Sequence, residues 1–301
     1  SSAASDVYKR QALDYKSNKG IATALGHAPV VALIDAGKGS QLAIAESLTN
    51  LIWAPLEDGL ASVSLSANWM WPCNNPGEDA RLYQAVEACS DFVIALGINI
   101  PTGKDSLSMK QQYNDTTVIA PGTVIISAAG VCSDIREIIT PAIDHVGGAL
   151  FYIDLSREDL VIGGTAFAQT QNKIGNKAAG IKDPIYFKKV FEFIQNLIKE
   201  KEISAGHDIS SGGMLVTLME MAFPNPNISL TLDLKAIDCL DDVHLFFTEN
   251  LGLIIQSKIA LDERAKRNGI NCLKIGYINH GKKMKVSTTN QNYVFDIPKH
   301  R

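Results

Sequence analysis

The chain has 301 residues, of which 46% are hydrophobic and 20% charged, with a formal net charge of -4. That length allows two domains of ordinary size, because a single core rarely grows past ~250–300 residues. The composition is that of a soluble globular protein; it excludes a dedicated nucleic-acid binder, which carries a basic face, and no stretch approaches the ~20 apolar residues that span a bilayer.

The first eleven residues, SSAASDVYKRQ, have neither a clear period nor a signal-peptide pattern, and are set apart from the fold as a non-native scar. From Ala12 onward strand-like and helix-like segments alternate. Pro29 to Ile34 is a short apolar run ended by DAGKGS, a loop composition. Ser40 then caps a helix through QLAIAESLTNLIWA, whose buried side is Leu42, Ala45, Leu48, Thr49 and Ile52. Ser62 to Asn68 alternates as a strand does, and a long helix over Glu78 to Leu96 buries Leu82, Val86, Cys89 and Val93 and stops at Gly97. Thr117 to Val131 supplies a strand, or a hairpin interrupted at Pro121-Gly122. A new apolar strand, ALFYIDL, follows the HVGG step, which divides the chain into domains 12–147 and 148–301. The second domain places an amphipathic helix at Tyr186 to Glu200, a strand–glycine loop–helix over Glu202 to Phe223, a helix near Leu261 to Asn268, and strands at ISLTLDL, LGLIIQ, LKIGYI, KVSTT and YVFDI. The fold class is α/β.

Five cysteines without a CxxC pair fit reduced thiols of a cytosolic protein, not a disulfide framework or a zinc site. Three constellations carry chemistry, each beside a plainer reading. Glu46 and Asn50 emerge one turn apart on one helix face, as hard oxygen ligands suited to magnesium or as an ordinary solvated pair. In His207 to Gly213 an acidic strand end meets Ser-Ser-Gly-Gly opening a helix, either a phosphate and metal corner or an N-cap supplied by Asp208 or Ser210. PTGKDSLSM offers Gly-Lys to a phosphate or is a turn with a solvated lysine. It is not a Walker A loop, because Asp105 follows Lys104. No nucleophile elbow, activated cysteine or H-E-x-x-H pair is present.

Taken in order, GHAPVVALIDAGKGSQLAIAESLTNLIWAPL, SLSANWMWPC, GEDARLYQAVEACSDF, INIPTGKDSLSM, PGTVIISAAG, GGTAFAQ, GHDISSGGMLVTLMEMAF and TENLGLIIQ resemble the formylglycinamide ribonucleotide amidotransferases, also called phosphoribosylformylglycinamidine synthases. The resemblance implies the second of two tandem repeats related to aminoimidazole ribonucleotide synthetase. In that fold a barrel-forming N-terminal α/β domain precedes a C-terminal α/β domain. It implies an ATP-dependent carbon–nitrogen ligase of purine biosynthesis using glutamine as amide donor, cytoplasmic, with Mg2+ and ATP or ADP as cofactors. The alternatives kept open are a non-catalytic structural nucleotide module and another member of the synthetase superfamily. The first repeat and the glutaminase are absent partners, and pairing of two copies of this chain is a further expectation.

By motif position the resemblance makes Glu46, Asn50 and Asp208 magnesium ligands and Ser210 a nucleotide contact, and it assigns Gly103, Lys104, Asp105 and Ser106 to phosphate or active-site contact. No catalytic residue is identified. A further ligand aspartate of the family falls at Val7. Asp6 is adjacent, but a one-residue shift in a strand turns a side chain to the other face, so it is not counted.

Overall fold

The computed structural model describes residues 9–297. The N-terminal half runs β1 (Lys9–Ala12), β2 (Gly20–His27), α1 (Pro29–Ile34), α2 (Ala36–Leu51), β3 (Ser64–Met70), α3 (Glu78–Leu96), β4 (Asn99–Ser106), a hairpin of β5 (Lys110–Tyr113) and β6 (Thr116–Ile119), and β7 (Thr123–Cys132). The C-terminal half runs β8 (Ala149–Asp154), α4 (Ala166–Thr170), α5 (Pro184–Lys199), β9 (Ile203–Asp208), α6 (Gly213–Ala222), β10 (Ile228–Asp233), α7 (Asp242–Phe247), β11 (Gly252–Ser257), α8 (Leu261–Arg267), β12 (Cys272–His280), β13 (Lys283–Ser287) and β14 (Asn292–Asp296). Among the described residues no helix is long and apolar enough to cross a membrane.

The first half builds a five-stranded sheet in the order β1-β2-β7-β3-β4. Strict alternation along β2 turns Ala22, Ala24 and Gly26 inward and leaves Ile21, Leu25 and His27 exposed. The inward face packs on α2. A Cβ on Gly26 would lie 2.1 Å from Ala43 O, so the glycine is what lets helix and strand approach this closely. The second half is a seven-stranded sheet, β14-β13-β10-β12-β8-β11-β9, with helices on both faces. Phe151, Ile153, Leu253 and Ile255 point toward α5 and the first half, while Leu150, Tyr152 and Ile254 point toward α6, as two-residue strand periodicity requires. One apolar cluster therefore runs from α2 and β7 through to α5 and β11, and the two halves share it.

Several expectations change. The run Pro29–Ile34 is a helix: proline sits in its first turn, where no N–H is needed, and a short apolar run has no period to tell helix from strand. DAGKGS is not a loop. Asp35 caps α2 by accepting from Lys38 N, and Ser40, one turn inside, donates instead to Ala85 O at 2.7 Å. The buried stripe of α3 is Ala85, Cys89, Phe92, Val93 and Leu96, and Val86 is turned outward. PTGKDS is not a turn but most of β4, an edge strand parallel to β3. Finally, residues 9–11 of the segment set apart as a scar belong to β1, which pairs with β2 from Lys9↔Thr23 to Ala12↔Gly20. An edge strand needs only backbone partners, so its side chains carry little pattern to read.

Candidate functional site

The close approach of α2 to β2 brings Glu46 to the end of that strand, where His27 N–H donates to Glu46 Oε2 at 2.7 Å. One turn further along, Asn50 Nδ2 donates to Leu25 O at 3.0 Å, and Asn50 Oδ1 is buried with no hydrogen-bond partner. From the other half, β9 delivers Asp208, 1% exposed, at its last residue, and the chain continues through Ser210 to the glycine step before α6. These pieces meet in a cleft of about 240 Å³ lined by Glu46, Asp208, Ser210 and Glu249, with apolar side chains from α1 and α2 and with Leu251. No lysine or arginine is among the described residues that line it.

Three carboxylates thus face one cleft, and among the described residues that line it none is a lysine or arginine. Burial pushes the Glu46 carboxyl up to about 7; the charges of Asp208 and Glu249 add to this, against the His27 N–H that favours the ionised form. Burial also raises Glu249, over the opposing N–H groups of Gly212 and Ala166. Behind Asp208 sits His207, its Nδ1 3.3 Å from Asp208 Oδ1 and its Nε2 3.5 Å from Glu220 Oε2. Burial works against its charged form, yet the two carboxylates outweigh burial and hold it at about 9.

The structure therefore gathers Glu46, Asp208 and Ser210 at one cleft and places Asn50 one helical turn from Glu46. It does not bring Gly103, Lys104, Asp105 or Ser106 there. They lie along β4, with Lys104 Nζ donating to Ser106 Oγ at 2.8 Å and Gly103 pressed against Ala67. Neither Asp208 nor Ser210 caps α6: its N-cap is Gly212, with φ near 93°, and Gly212 N–H donates to the remote Glu249 at 2.8 Å. Glu249 is the residue that sequence reasoning missed. It stands in TENLGLIIQ between α7 and β11, and nothing local distinguishes an acid before a strand. Val7 and Asp6, the positions bearing on a further ligand, lie outside the described residues.

Two observations bear on a metal. Among the described residues no three His, Cys, Asp or Glu side chains come together closely enough to hold an ion by themselves. Against that, an unpartnered amide oxygen on the same helix as Glu46, and carboxylates in a cleft that no described lysine or arginine lines, are what a hard cation with few protein ligands would satisfy. The donor set fits magnesium whose remaining positions are filled by water and phosphate.

Residues 4–131 match the family model of the FGAR-AT PurM N-like domain, so the match begins inside the segment set apart as a scar. Residues 146–288 match the AIR synthase related protein, C-terminal domain. Human phosphoribosylformylglycinamidine synthase is 38% identical over 272 residues, covering 88% of this chain and 20% of that protein. A probable phosphoribosylformylglycinamidine synthase of Arabidopsis thaliana, chloroplastic/mitochondrial, is 42% identical over 247 residues, 81% of this chain and 17% of that protein. The chain thus spans about one fifth of the length of the curated relatives it matches. Among solved structures, T. maritima PurL complexed with FGAR has a TM-score of 0.73 over 98% of this chain and 50% of that one, at 11% identity, a likeness of fold. The HypE-HypF complex shares the fold with a TM-score of 0.63, at 14% identity, over 98% of this chain and 94% of that chain.

Proposed function

We propose that this chain, a member of the phosphoribosylformylglycinamidine synthase family whose halves match the FGAR-AT PurM N-like and AIR synthase related domains, is the second synthetase-like repeat of such an enzyme and supplies a magnesium–nucleotide site. The observation that carries this reading is the charge of the cleft. Glu46, Asp208 and Glu249 face it and, among the described residues, no lysine or arginine does, so a polyphosphate would enter with cations. Glu46, Asp208 and the free oxygen of Asn50 would hold magnesium, which neutralises phosphoryl oxygens when bound. Ser210 would contact the nucleotide, and the apolar side chains of α1 with Leu42 would receive its base. Solved structures of this fold described as T. maritima PurL complexed with ATP and with ADP support a nucleotide here.

The whole enzyme would phosphorylate the amide oxygen of formylglycinamide ribonucleotide and let ammonia from glutamine displace the phosphate. This repeat alone forms no amidine. The first repeat and the glutaminase would lie in the four fifths of the protein outside this chain. The uncovered face of the five-stranded sheet, with Ile21 and Leu25 exposed by 40% and 53%, would dock the first repeat and close a barrel, or pair two copies of the isolated chain. Gly103, Lys104, Asp105 and Ser106, on the edge of that sheet, would face the shared active site. The two domains divide near Gly147, and the protein acts in the cytoplasm.

Calorimetric titration with ADP, with magnesium and with a chelator, tests the site. Binding that requires magnesium and disappears in Glu46→Ala is the expected result. Equal affinity in the chelator would overturn the reading. A stoichiometric nucleotide that survives purification without turnover would identify the site as the structural one of the enzyme.

A further inference from the structure

We propose that Glu249 is the positioning residue that fixes the two walls of this cleft against each other; the proposal rests on reading the cleft as a nucleotide site. One wall is the glycine turn before α4, represented in the cleft by Gly164, and the other is the turn before α6, represented by Ser210 and Ser211. A single carboxylate oxygen, Glu249 Oε1, accepts the N–H of Ala166 from the first wall and the N–H of Gly212 from the second, each at 2.8 Å. Those walls are far apart in the chain. Neither can move from the other without lengthening a hydrogen bond to the shared oxygen and leaving a backbone N–H at the cleft without its acceptor.

The surrounding segment is built to hold Glu249 in place. Thr248 Oγ1 donates to Val161 O at 2.9 Å, Val161 N–H donates to Asn250 Oδ1 at 3.1 Å, and Phe247 stacks on Phe167 of α4 with ring centroids 4.8 Å apart. On the α6 side, a Cβ on Gly213 would fall 2.5 Å from Phe246 O and 2.6 Å from Thr248 O, so the backbone of residues 246–248 runs directly against the second wall. None of these contacts uses the Glu249 side chain, so replacing it should remove only the two N–H bonds at the cleft. The carboxylate sits beside Glu46 and Asp208, where a third negative charge is unfavourable. Its geometric role accounts for that placement: one oxygen ties the turn at the N-terminus of α6 to the turn at the N-terminus of α4, and Ser210 and Ser211 are left facing the cleft.

The test uses this chain as it stands, with Glu249→Ala and Glu249→Gln. Amide hydrogen exchange of the unliganded protein should speed up by roughly ten-fold or more in Glu249→Ala at both residues 164–168 and 209–214, the scale of leaving a backbone N–H without its acceptor. Glu249→Gln, which keeps an acceptor oxygen, should restore most of the protection, and exchange in β8 and β11 should not change. Magnesium–ADP affinity should fall by about ten-fold in the alanine variant and be largely recovered in the glutamine variant. Unchanged exchange at both walls in Glu249→Ala overturns the proposal. So does a glutamine variant as unprotected as alanine, because charge and not position would then be at work. A wild-type chain that binds no magnesium–ADP refutes the nucleotide reading instead, and the exchange data still decide whether Glu249 holds the walls.

Discussion

At pH 8 and without divalent cations, Glu46→Gln raises the melting temperature of this chain although it removes a residue of the candidate site. Burial and the neighbouring Asp208 and Glu249 hold the folded carboxyl at about 7, against 4.5 for a free one. The folded state therefore binds its proton more tightly than the unfolded chain does. The sign follows: the protonated carboxyl contributes stability in acid, and that contribution is lost as pH rises from about 4.5 through 7. The gap amounts to roughly 3 kcal/mol at 1.36 kcal/mol per pH step, reduced to about 2 kcal/mol because solvent reaches the carboxyl through the cleft. With an unfolding entropy of ~2 cal/mol/K per residue, that is roughly 3 °C. Glutamine keeps an acceptor for the His27 N–H and loses only the charge. Differential scanning fluorimetry of both proteins in chelator at pH 4.5 and pH 8 measures the effect, with a difference at pH 8 and none at pH 4.5. Saturating magnesium–ADP should then raise the wild type and leave Glu46→Gln nearly unmoved. Identical melting at pH 8 would refute the claim that this carboxylate is held against an electrostatic cost.

Two further changes probe the shared core that positions the site. Gly206→Ala places a methyl about 2.1 Å from the Trp53 ring and should destabilise by roughly 3 kcal/mol in urea unfolding; adding Trp53→Val should recover part of the loss, and strict additivity would count against the clash. Gln195, 1% exposed, accepts from Leu56 N–H at 2.9 Å and donates to Ile52 O and Ala54 O, so Gln195→Leu leaves three buried backbone groups unpaired and should cost about 3 kcal/mol or more by the same measurement.

What could be read from the sequence was local in origin. The helix of Glu78 to Leu96 declares itself by apolar spacing and a glycine stop, and Gly97 does adopt φ near 74°. The strand–glycine–helix unit from Ile203 to Ala222 stands out for the same reason. Short elements were not legible: α1 has six residues and no period, and the apolar run it occupies suits a strand equally well. Strand β4 escaped because an edge strand exposed on most of its length has no buried face to alternate, so PTGKDS displays only turn-forming residues. Of the cleft, Glu46, Asp208 and Ser210 were found through motifs that resemble a family. Glu249 could not be found by pattern, because its partners Ala166 and Gly212 are fixed by tertiary structure alone.

The cleft also shows why the chemistry of this chain depends on more than any one of its motifs. Glu46 comes from the first half, and Asp208 and Glu249 from the second, so neither half alone brings the three carboxylates together. They face one another because α2 and α5 pack into a single apolar cluster, with Trp53 against Gly206 and Gln195 satisfying the backbone of residues 52–56. The stability of that cluster supports the repulsion in the cleft, and a cation with its phosphates would relieve it. Ligand binding and the packing of the two halves are therefore coupled in sign: what loosens Trp53 or Gln195 should weaken magnesium–nucleotide affinity, and bound nucleotide should protect the shared core from unfolding.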